Sequence, residues 1–211
     1  MKHKFSIFVL AALILSEIPF INWPFGWMET FFHELSHGLA ALLSGGSIER
    51  IVLRFDGSGI SYTRGGWQPL VLFSGYAGAV IWGAIIYLGA NVSGATSRWL
   101  AFGILSLLIV VGVLYARDWV TITIMLIIAA VLYTSFRYVV GVIFPHFMEF
   151  IGIYIMVSAA KAPLNLFDGR SIGDGAALAT STWVPEFVWA LLWFVLAVGM
   201  IVFLWRSQRP S

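Results

Sequence analysis

The chain has 211 residues, of which 60% are hydrophobic and only 10% charged, and its mean hydropathy is +0.93. A water-soluble core does not account for apolar runs that recur along the whole length, so the pattern is that of a helical protein threading a membrane several times. The net charge of +2 is scattered over loops and termini rather than gathered in a basic stripe, which argues against nucleic acid as a partner, and the absence of cysteine excludes disulfides and thiolate metal ligands.

Met1-Lys2-His3-Lys4 followed by the apolar run Phe5 to Phe20 has the outline of a secretory signal. No small-x-small cleavage pattern follows it, and the segment reads as an uncleaved first span. Pro19, Asn22, Trp23 and Pro24 then make a short interfacial turn. The next stretch, Trp27 to Ser44, reads as a membrane helix except that it carries His33-Glu34-Leu35-Ser36-His37. Residues at i and i+4 of a helix share one face, so the two imidazoles are spaced to grip one Zn²⁺, with Glu34 beside them to act on a water at the metal. Such a site hydrolyses amide bonds. Ionisable groups in the middle of an apolar helix are costly in lipid and are tolerated where they face a bundle interior and perform a function.

Gly45-Gly46 stops the motif helix. Ser47 to Phe55 and Gly59 to Thr63 are strand-like and flank Asp56-Gly57, a favoured turn pair, which predicts a small β-hairpin at the membrane surface. Its edge is suited to pairing with an extended substrate segment; a plain connector fits equally well. Further spans are expected over Pro69–Gly89, Trp99–Tyr115, Trp119–Phe136, Val139–Ala160 and Phe187–Trp205. On the third span Gly75, Ala79 and Gly83 form a small-residue face on which the motif helix can pack. The fold class expected is thus an all-α polytopic membrane protein, a single domain over residues 1–211 with six or seven transmembrane helices and one hairpin. If every span crosses, Lys2, Lys4, Arg50, Arg54, Arg64, Arg117, Lys161 and Arg170 share one side, against Arg98, Arg137, Arg206 and Arg209, which places the N-terminus in the cytoplasm.

A catalytic zinc has three protein ligands and one open position, so a third donor must come from elsewhere. His146 with Glu149 one turn later is one source, although an intramembrane pair of this kind also serves as an interhelical hydrogen-bond group. Glu29, four residues before His33, suits a supporting partner or a solvated helix start, and Glu17 reaches an interface before Pro19. The remaining donors are Asp168 and Asp174.

Three blocks of the chain resemble the site-2 protease class of intramembrane zinc metallopeptidases, in particular its small bacterial and plant branch. They are Phe32 to Gly46, then Asp56-Gly57-Ser58-Gly59 with Thr63 to Trp67, then Asp174 to Ala179 followed by Pro185 and Trp189. The resemblance implies that His33 and His37 are metal ligands, that Glu34 is the general base, and that an aspartate opening a late helix is the third ligand. Two positions compete for that role. Pro163 followed by Asp168-Gly169 matches the wider family's Pro and Asp-Gly spacing, whereas Gly173-Asp174-Gly175-Ala176-Ala177-Leu178-Ala179 approximates the small branch's Ser-Asp-Ala-x-x-Leu-Ala. Asp174 is favoured because it opens a helical stretch whose free N–H groups would hold its carboxylate.

The activity implied is zinc-dependent hydrolysis of membrane-embedded or membrane-proximal protein segments, in a bacterial inner membrane. Its partners would be a membrane protein substrate, the lipid bilayer and regulatory membrane proteins, since no segment of domain size separates the spans. The competing reading is a non-proteolytic zinc-binding scaffold or transporter, or an accessory subunit. An intact Glu34 speaks against the scaffold, and the lack of paired, Gly/Pro-broken spans against the transporter.

Overall fold

The computed structural model describes residues 2–139, 141–164 and 173–208. It contains α1 (Lys2–Leu15), α2 (Trp23–Leu43), β1 (Ser47–Leu53), β2 (Gly59–Arg64), α3 (Gln68–Val92), α4 (Gly94–Tyr115), α5 (Trp119–Tyr138), α6 (Ile143–Lys161), α7 (Asp174–Thr182) and α8 (Glu186–Ser207). Five of the helices, α3, α4, α5, α6 and α8, are long and apolar enough to cross a membrane. The first helix is shorter than the apolar run that contains it. With 14 residues it reaches about 21 Å, less than the roughly 30 Å of a hydrocarbon core. It stops because Pro19 cannot donate to the helix and biases Ile18 away from helical angles, so the chain closes in tight turns from Glu17 N–H to the Ile14 carbonyl and from Ile18 N–H to that of Leu15.

The motif helix α2 is buried on every side from Trp27 to Gly38, as expected of a helix at the centre of a bundle. Its end is set by stereochemistry. Gly45 takes φ +87°, Gly46 N–H donates to the Ala41 carbonyl (2.7 Å) and Gly45 N–H to that of Leu42 (3.3 Å), the two bonds of a Schellman stop. The β-hairpin follows at once, with β1 and β2 antiparallel, Leu53 opposite Gly59 and Ile48 opposite Thr63, and an irregularity between Ile48 and Arg50. Gly57 has φ +87°, and Asp56 Oδ1 accepts from both the N–H and the hydroxyl of Ser58 (2.9 and 2.7 Å), which closes the turn.

The hairpin is not merely laid on a surface. Ile51 and Leu53 are fully buried, Leu53 N–H donates to Thr121 Oγ1 at the start of α5 (2.9 Å), and Thr30 Oγ1 on α2 donates to the Gly57 carbonyl (2.7 Å).

Helix α3 lies against both α2 and α6, and glycines set how near they come. A Cβ on Gly78 would lie 2.2 Å from Ser36 Oγ, and one on Gly152 would lie 2.6 Å from the Gly83 carbonyl oxygen. The small face anticipated on α3 is therefore shared: Gly75 meets the motif helix, whereas Gly83 meets α6. Helix α1 runs along α6 and is tied to it at both ends. Lys4 Nζ pairs with Glu149 (2.6 Å), and Lys161 pairs with Glu17 and donates to Ser16 Oγ (2.7 Å). At the Lys4 end, the Lys2 ammonium lies 4.9 Å from the centre of the Trp205 ring in the last turn of α8. Lys2 and the last turn of α8, which carries Arg206, thus share one end of the bundle, against the partition obtained when every apolar run crosses.

Candidate metal centre

His33 and His37 sit one turn apart on α2 and are 9% and 6% exposed. His37 Nδ1 is 2.6 Å from the Val71 carbonyl in the first turns of α3. A carbonyl only accepts, so Nδ1 carries the proton and Nε2 is left with its lone pair aimed away from it. That Nε2 lies 3.0 Å from His33 Nε2, and Asp174 Oδ2 lies 3.0 Å from His33 Nε2 and 3.2 Å from His37 Nε2.

Two imidazole nitrogens and one carboxylate oxygen thus converge, a group that could hold a metal ion. Bonds of 2.0–2.2 Å in a tetrahedral arrangement hold ligand atoms about 3.3–3.6 Å apart, a little wider than the 3.0–3.2 Å found here, and nitrogen and oxygen donors suit zinc. Gly75 supplies a second sign of fit. A Cβ built there would lie 2.5 Å from both Nε2 atoms, so the absence of a side chain is what keeps the space beside them open.

Asp174 is the first residue of α7 and follows Gly173, whose φ of +106° few other residues adopt. The reason anticipated for Asp174 does not hold in its details. Among the described residues no side chain caps α7, and the carboxylate turns to the two imidazoles rather than to the helix N–H groups. Asp168, the competing position, lies outside the described residues. His146 and Glu149 are not brought to the histidine pair. Glu149 is 2% exposed and pairs with Lys4, and His146 Nδ1 is 3.6 Å from it, so this cluster joins α1 to α6. Glu17 is exposed and pairs with Lys161.

Glu34 is 4% exposed and stands beside the ligand group, not within it. Gly59, the first residue of β2, lies against it: a Cβ there would be 2.7 Å from Glu34 Oε1. A cavity of about 630 Å³ joins these parts, lined among others by Glu34, His33, Asp174, Tyr76, Gly59 and Ser61. Glu29 lines it too. It is 7% exposed and its Oε1 has no hydrogen-bond partner among the described residues, so it is neither a solvated helix start nor an observed partner of His33.

Several contributors carry no signal in the sequence. The Val71 carbonyl is a backbone group that any residue would supply, and Gly75 is legible as a packing residue but not as a gap beside imidazoles. Tyr76 and Trp193, which back His33, look like ordinary membrane-helix aromatics.

A buried His-Glu-x-x-His helix with a converging aspartate, inside a bundle of apolar helices, defines a membrane protein of the metallopeptidase type. A family model described as Peptidase M50B-like matches residues 6–204, and the chain belongs to that family, within the site-2 protease class. Neither curated proteins nor solved structures gave a match to the chain.

Proposed function

We propose that the protein is an intramembrane zinc metalloprotease that cleaves membrane-embedded or membrane-proximal protein segments. The observation that carries this reading is the meeting of His33, His37 and Asp174 within 3.0–3.2 Å, with Glu34 at the same cavity. His33, His37 and Asp174 would hold zinc, which supplies Lewis-acid polarisation of a carbonyl and makes water more acidic.

The chain's own part begins with the tautomer. His37 is kept in the form that presents Nε2 by its bond to Val71, a backbone group that cannot rotate away. Glu34 accepts the proton of the attacking water and returns it to the leaving amine nitrogen. Enclosure of Glu34 by Gly59 of β2 limits the water that reaches it. The substrate backbone is presented by β2: Gly59, Ile60, Ser61 and Thr63 line the cavity, and pairing of an extended segment along this strand would bring its peptide bonds past Glu34. A membrane helix must unwind locally to bind so. The lipid bilayer is then a partner in presenting substrate, and regulation falls to other membrane proteins. A single catalytic domain over residues 1–211 in a bacterial inner membrane accords with this reading.

The test uses purified protein in detergent or liposomes against a panel of single-span substrates. Glu34→Gln should retain zinc and substrate binding while the rate falls by about 10²- to 10⁴-fold, the usual loss when a general base is removed. Equal cleavage by both proteins would exclude Glu34 as the base, and a parent that cleaves nothing would return the protein to the scaffold class.

A further inference from the structure

The cavity holds a second side chain placed for chemistry. Tyr76 follows directly on Gly75, the residue whose missing side chain keeps the space beside the two Nε2 atoms open. Its ring stands edge-on to His33, with centres 4.4 Å apart and planes at 79°. Behind it lies Trp193 of α8, 4.7 Å away and 1% exposed. Trp193 is itself fixed, because its Nε1–H donates to the Phe73 carbonyl (3.0 Å) and its ring stacks on Phe73 at an interplanar angle of 23°. The tyrosine ring is therefore wedged between a candidate ligand and an immobile indole. Tyr76 lines the cavity, within electrostatic reach of Asp174, Glu29 and Glu34, and among the described residues its hydroxyl makes no hydrogen bond to the protein.

A rigid ring with a free polar tip is what transition-state stabilisation asks for. When water adds to a peptide carbonyl, the new C–O bond forms, the π pair moves onto the carbonyl oxygen, and the water's proton goes to Glu34. The negative charge on that oxygen is best met by a donor already in place, since a fixed donor needs no reorganisation. Glu34 takes up that proton and is committed to carrying it to the amine nitrogen, so the donor to the oxyanion has to be a different group. A tyrosine O–H donates without bringing a charge into an apolar bundle.

We propose that Tyr76 is a further catalytic residue, its hydroxyl donating the hydrogen bond that stabilises the oxyanion formed at the scissile carbonyl; this rests on the proteolytic reading above. Tyr76 keeps its proton throughout. As the C–N bond breaks, the oxyanion's pair restores the carbonyl and Glu34 delivers its proton to the amine nitrogen.

Tyr76→Phe keeps the wedged ring and removes only the hydroxyl. In liposomes with a single-span substrate, kcat should fall by about 10²- to 10³-fold, the usual loss of one oxyanion donor, while KM and zinc content stay at parental values. Affinity for a phosphinate peptide, whose tetrahedral oxyanion resembles the transition state, should fall by the same factor. A kcat equal to the parent's would overturn the proposal. So would a reduced kcat with unchanged phosphinate affinity, or a loss of zinc, either of which would assign Tyr76 a structural role. A parent with no proteolysis removes the proteolytic reading and this one with it, whereas a parent that cleaves alongside an equally active Tyr76→Phe removes this one alone.

Discussion

Gly75→Ala is the sharpest test of how the metal centre is built, because it adds one methyl group and no charge. The added Cβ would lie 2.5 Å from His33 Nε2, 2.5 Å from His37 Nε2 and 2.6 Å from His37 Cε1. Ordinary contact begins near 3.4 Å, so each ring must move by about 0.9 Å or the two helices must part. Neither movement is easy. His37 is held by a 2.6 Å bond to the Val71 carbonyl, one turn before Gly75 on the same helix, so moving α3 away carries that anchor with it. Metal ligation tolerates about 0.2 Å of error, several times less than the displacement required. We therefore expect Gly75→Ala to weaken zinc binding by more than the 10- to 100-fold typical of losing a supporting contact. The accompanying loss of fold stability should be about 1–3 kcal/mol, the usual cost of overpacking. The assay is zinc content after dialysis against graded chelator, with thermal unfolding in detergent alongside. Gly199→Ala on α8, where a Cβ meets nothing within 4 Å, serves as the control and should match the parent. Parental zinc affinity in Gly75→Ala would refute the geometry of the site and the reading of Gly75 as its open side.

Asp174→Ala should lose zinc and proteolysis together, whereas Asp168→Ala should keep most of its zinc; metal analysis of the two purified variants decides between them, and the reverse result would move the third ligand to Asp168. Gly152→Ala sets a Cβ 2.6 Å from both the Gly83 carbonyl oxygen and the Tyr87 nitrogen, backbone atoms that cannot rotate away. It should destabilise the α3–α6 contact by at least the 1–3 kcal/mol of ordinary overpacking, read as a lower unfolding midpoint, and an unchanged midpoint would contradict the close approach.

The local parts of this protein were open to reading from residue order alone. Helical periodicity places His33 and His37 on one face whatever surrounds them, Gly45-Gly46 ends α2 because a left-handed φ is needed there, and Asp56-Gly57 closes the hairpin for a similar stereochemical reason. These effects act within a few residues. Resemblance carried the reading further, to an aspartate near the start of a late helix, but not to the reason it sits where it does.

The rest depends on groups that meet only when helices pack. Asp174 reaches His33 across 141 residues, and the Val71 carbonyl that orients His37 belongs to a different helix from the motif. Gly75 and Gly59 matter for the volume they leave empty, beside the imidazoles in one case and Glu34 in the other, and a gap has no signature in a composition or a period. The end of the bundle at which Lys2 lies was likewise a tertiary matter. An apolar run states that a segment prefers lipid, but the turn at Ser16 to Pro19, the pairing of Lys4 with Glu149 and of Glu17 with Lys161, and the packing of Lys2 on Trp205 decide how far the first helix extends and what it meets.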